Sequence, residues 1–176
     1  SNSWTSNASM SLRWWNQRLG DYGGGFLMML YLADKFGGGQ AIQSLVADQA
    51  TGAQGIERLA RNPVVGAPAN VGTDFDDIFA NFTAAVTLDS QQGRFGLSNI
   101  DMSNTCSSAA FCRIQITDQN QAWSGLWESN DHDMEGWGVR IFRFVGGTGA
   151  PLNLMVSPSE FGFDGAIVKK DAAAQT

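Results

Sequence analysis

The sequence predicts an α+β fold, with a helical N-terminal half packed with a small, mostly antiparallel C-terminal β unit. Three observations carry that expectation. Phe75, Ile78, Phe79, Phe82 and Val86 recur at i, i+3, i+4, i+7 and i+11, the spacing of one helix face. Residues 26–36 are apolar on every side, the mark of a helix enclosed by core. Beyond about residue 90 the apolar period shortens to two, which is the strand period. The expected division is a helical subdomain over 1–90, a β-rich region over 91–170 and a frayed tail over 171–176.

The elements follow in order. A short helix is expected over 11–19, with Trp14 and Trp15 too large to leave exposed. Asp21, Tyr22 and Gly23-Gly24-Gly25 lead into the buried helix over 26–36. The glycines at 37–39 are the residues expected where a helix ends in a left-handed conformation. Ile42, Leu45 and Val46 have helical spacing, and Ile56, Leu59 and Ala60 suggest another short helix after Thr51-Gly52. Prolines and glycines make 63–72 a loop. Thr73 then reads as the N-cap of the Phe75 helix, with Asp76 three residues on. Strands are expected over 111–117, 137–145 and around 152–156 and 166–169, with a turn at 146–149 and a polar connection over 118–135.

Composition narrows function. The 11 Lys and Arg stand against 17 Asp and Glu, a net charge of −6, and only three lysines occur. That balance, without a clustered basic stripe, argues against nucleic acid and anionic membrane as partners. The longest apolar run has eight residues, too few for a membrane span. Charged residues are only 16% of the chain, so Asn, Gln, Ser, Thr and Gly must cover much of the surface. Together with one pairable cysteine couple, this favours an exported protein, secreted or at the cell surface. The start at Ser1, without an initiator Met, reads as a mature or cut fragment.

Few residues offer chemistry. Cys106 and Cys112, five residues apart, suit a local disulfide worth ~2 kcal/mol, or else two buried thiols. There is no HExxH, no GxSxG and no phosphate-binding glycine loop, and His132 is the single histidine. Asp131, Asp133 and Glu135 offer alternating oxygens to a calcium ion, but the loop lacks the glycine and distal Glu of an EF-hand, and a solvated acidic loop is the favoured reading. Asp74, Asp76 and Asp77 suit a helix N-terminus, where acids complement the dipole. Asn7-Ala8-Ser9 and Asn81-Phe82-Thr83 are glycosylation sequons.

The run from Asp21-Tyr22 through Phe26-Leu-Met-Met-Leu-Tyr-Leu-Ala-Asp-Lys-Phe-Gly-Gly resembles the segment after the zinc site in secreted HExxH metallopeptidases of the hyicolysin and immune-inhibitor-A kind. The resemblance extends over much of 1–170, with helices comparable to 40–48, 55–61 and 75–82 followed by a β region. It implies zinc in the parent protein only, because the HExxH helix and the downstream Glu ligand would precede Ser1. In an active parent, zinc-bound water would attack a peptide carbonyl with the HExxH Glu as base, and Tyr22 would stabilise the developing oxyanion. A packing role at the helix start is the other reading of Tyr22.

The sequence therefore points to the C-terminal portion of an exported metallopeptidase-like protein that is not catalytic by itself. Its partners would be the upstream segment and a protein or peptide substrate. The alternatives are an exported structural subunit that self-associates through strand edges, or a calcium-dependent surface- or carbohydrate-binding module using the acidic loop and Trp123 and Trp127.

Overall fold

A computed structural model describes residues 2–8, 11–66, 71–102, 113–114, 118–122 and 136–145. Within them, five helices precede two short strands: α1 (Asn2–Thr5), α2 (Leu19–Phe36), α3 (Gly39–Ala47), α4 (Gly52–Ala60), α5 (Phe75–Leu88), β1 (Asp118–Ala122) and β2 (Phe142–Val145). The helical part of the expected architecture is present. A mostly antiparallel β unit is not found among the described residues, where β1 and β2 pair in parallel. A parallel pair needs a connection of a dozen or more residues, and Ala122 and Phe142 are far enough apart in sequence to allow it. Residues 118–122 had read as connection, because their sequence, DQNQA, carries no apolar alternation. The expected strands around 152–156 and 166–169 lie outside the described residues.

The core is helical. Leu27, Met28, Tyr31, Leu32 and Phe36 of α2 meet Ile56 and Leu59 of α4 and Phe75, Ile78, Phe82, Ala85 and Val86 of α5. Trp4 of α1 is almost fully buried and stacks on Phe82, with ring centroids 5.7 Å apart. Asp74, rather than Thr73, caps α5, its carboxylate accepting the Asp77 N–H at 3.0 Å. The expected cap was one residue early because Thr73 and Asp74 are both good N-cap residues. Asn81 donates to the Val71 carbonyl at 3.0 Å, so this sequon asparagine has a structural role.

Helix α2 differs from expectation in two ways. It starts seven residues early and runs through Gly23-Gly24-Gly25. Gly23 and Gly24 are buried, and a Cβ on Gly24 would lie 2.8 Å from Leu12 Cδ1 and 3.0 Å from the Trp4 ring. These glycines allow close approach of chain to helix rather than a break. Gly37, at φ 99°, then ends the helix in the left-handed conformation, as expected. Nor is α2 buried on every side: Leu19, Tyr22 and Phe26, at i, i+3 and i+7, remain exposed along one face. Farther along, the C-terminal half of α2 is strapped by 89–102. Lys35 Nζ donates to the Gly93 carbonyl at 2.9 Å, Asn99 Nδ2 to the Leu30 carbonyl at 2.9 Å, and Ser98 to the Asp34 carboxylate.

Residues 11–18 do not form the expected helix. Ser11 Oγ accepts the N–H groups of Arg13 and Trp14, but Gln17 sits at φ 60°, which breaks helical geometry. Trp14 and Trp15 are 69% and 55% exposed, against the expectation that they would be covered. Trp137, expected in a strand, also has a left-handed φ of 63°. Its segment crosses residues 8–12 through Leu12 N–H to the Trp137 carbonyl at 3.2 Å and Val139 N–H to the Ala8 carbonyl at 2.6 Å. Those isolated bonds replace a strand ladder there.

Candidate functional site

Asp21 builds the site. Its side chain is 2% exposed and gathers the N–H of Asn16 at 2.8 Å, the N–H of Arg18 at 3.0 Å and the Arg18 guanidinium at 3.3 Å. This acidic residue in the first turn holds the preceding chain against the start of α2. Burial pushes its carboxyl up, but the Arg18 and Asn16 amides and the guanidinium outweigh that and hold it below the usual carboxylate value. A carboxyl with a lowered folded pKa stabilises the fold above its unfolded pKa, and that contribution is lost as pH falls through the folded value. Asp21→Asn is therefore expected to flatten the acid limb of the stability curve, measured by urea unfolding between about pH 5 and 2.

One residue on, Tyr22 projects outward. It is 56% exposed, and its ring meets Trp15 edge-on at 4.6 Å between centroids. The chain's other tyrosine contrasts with it. Tyr31 is fully buried, its hydroxyl has no hydrogen-bond partner, and burial with the nearby Asp34 charge pushes its pKa up, so it stays neutral. Tyr22 alone presents a phenol to solvent.

Beside Trp15 opens a groove of about 620 Å³ lined by Ser11, Arg13, Trp14, Asn16, Gly136 and Trp137. Trp14 Nε1 donates to Asn16 Oδ1 at 3.0 Å. The Arg13 guanidinium lies over the Trp137 ring, 5.6 Å from its centroid. Trp137 is fixed in turn by edge-on contacts with Phe75 at 4.7 Å and Phe79 at 5.4 Å. Arg13, Asn16 and Trp137 carried no motif, and only the chain's path brings them together.

Of the expected site residues, Tyr22 is described, and it lies exposed on α2 against Trp15. Asp131, Asp133 and Glu135, together with His132, Cys106, Cys112, Trp123 and Trp127, lie outside the described residues. Among the described residues, no group of three or more His, Cys, Asp or Glu is placed to hold a metal ion. Nor is any described helix long and apolar enough to cross a membrane. Comparison of this chain with protein-family models, with curated proteins and with solved structures finds no match.

Proposed function

We propose that this chain is the C-terminal portion of an exported metallopeptidase-like protein, in which α2 forms one wall of the substrate cleft and Tyr22 is the catalytic residue it contributes. The exposure of Tyr22 carries this reading. Although its ring rests edge-on against Trp15, more than half of Tyr22 remains open to solvent, so the phenol is accessible to a ligand. A phenol hydroxyl is a suitable donor to the oxyanion that develops when a peptide carbonyl is attacked. Leu19 and Phe26 flank it on the exposed face of α2 and offer apolar seating for the upstream segment. In this reading zinc belongs to that segment, which would carry the HExxH helix of the family that the chain resembles.

The test begins with native secreted material, in which mass spectrometry should find an HExxH segment joined to this chain or co-purifying with it. In that longer protein, Tyr22→Phe is expected to lower kcat about a hundredfold with KM little changed, the loss of one oxyanion donor. Unchanged kcat would remove Tyr22 from the mechanism.

A second reading draws on Trp14 and Trp15, whose exposed rings suit a surface- or carbohydrate-binding module, with Asp131, Asp133 and Glu135 as its calcium ligands. Calcium-dependent retention of the 176-residue chain on a polysaccharide, lost in Trp14→Ala, would favour it.

A further inference from the structure

We propose that the groove between residues 11–16 and Trp137 is a subsite for a carboxylate-bearing side chain of a bound polypeptide, anchored by Arg13. The proposal rests on the peptidase reading for its choice of polypeptide, and on the groove itself for its choice of charge. Arg18, Arg58 and Arg61 each pair with a carboxylate of this chain, namely Asp21, Asp48 and Glu57. Among the described residues, Arg13 pairs with no carboxylate. Its guanidinium rests instead on an aromatic wall of an open groove, and that wall is locked by Phe75 and Phe79. A guanidinium held this way keeps its fork of donors at low entropic cost to a ligand.

The other lining groups agree in sign. Ser11 Oγ is occupied by two backbone N–H groups, and the Asn16 carboxamide oxygen by Trp14 Nε1. The Asn16 NH2 therefore remains as a second donor beside Arg13. Two donors between indole walls accept an anionic, planar group and select against a cation. Glu fits better than Gln, because the charged oxygens strengthen both hydrogen bonds.

The test uses the 176-residue chain and two capped alanine-based peptides, one with a central Glu and the other with Gln, read by tryptophan fluorescence and calorimetry. Roughly tenfold tighter binding of the Glu peptide is expected, reduced by added salt. Arg13→Gln should abolish the preference and Arg13→Lys retain part of it, and circular dichroism should show both variants folded. Equal binding, no saturable binding of either peptide, or a preference that survives Arg13→Gln would overturn the subsite. Binding of polygalacturonate but not of the Glu peptide would overturn the polypeptide assignment. The two readings fail separately. A longer protein without peptidase activity, alongside an intact Glu preference, sinks only the catalytic role, whereas hydrolysis indifferent to Glu or Gln sinks only the subsite.

Discussion

Phe82→Ala is expected to destabilise the chain by about 4 kcal/mol, in the range for deleting a fully buried phenylalanine. Phe82 is 0% exposed and sits where three elements meet. Its ring stacks on Trp4 at 5.7 Å, meets Tyr31 edge-on at 5.7 Å and contacts Phe79 at 6.2 Å. Truncation would leave a void lined by rigid rings on separate helices. Such a site collapses poorly, which places the cost toward the upper part of the range. For a chain of this length the midpoint of thermal unfolding should fall by roughly 10 °C. A fall of less than about 3 °C in a calorimetric scan would mean that α1 and α2 close over the gap.

Gly24→Val is expected to cost about 3 kcal/mol, by overpacking at the crossing of α2 with the N-terminal chain. The first added carbon already lies 2.8 Å from Leu12 Cδ1 and 3.0 Å from the Trp4 ring. Leu12 can swing away, but Trp4 is enclosed by Phe82 and cannot. Two further methyl groups deepen that clash. The neighbouring glycine supplies the control. A Cβ on Gly25 meets nothing within 4 Å, so Gly25→Ala should stabilise by about 0.5–1 kcal/mol through helix propensity alone. Opposite signs at adjacent glycines, measured by urea unfolding, would confirm close packing as the reason for Gly24. Equal gains at both would refute it.

These two sites also show how far the sequence could be read. The Phe75–Phe82 face was legible because an amphipathic period over three turns has one physical solution, and α5 buries that face. The α2 glycines were misread as a lead-in, since glycine lowers helix propensity and nothing local reveals a tryptophan about to pack there. Trp14 and Trp15 were expected inside on size alone. Their turn is held by Ser11 on one side and Asp21 on the other, and it points both rings outward.

The candidate site divides in the same way. Tyr22 stood out only because the run that follows it resembles a metallopeptidase segment, which is a likeness of sequence. Arg13 and Trp137 are 124 positions apart in a 176-residue chain and share no motif, so their stacking had no local signal. The parallel pairing of β1 with β2 was hidden too, because DQNQA carries no strand period and a period in β2 alone specifies neither partner nor direction.

Local periodicity and capping chemistry by themselves determined where α5 lies, which of its residues form the core, and that the first half is helical. Those properties depend on neighbours within a few turns. Which face of α2 stays open, that Arg13 rests on Trp137 and which aromatic rings line a groove were decided only by tertiary structure. Exposure and pairing depend on segments that meet in space after long loops close, and no short window of sequence contains them.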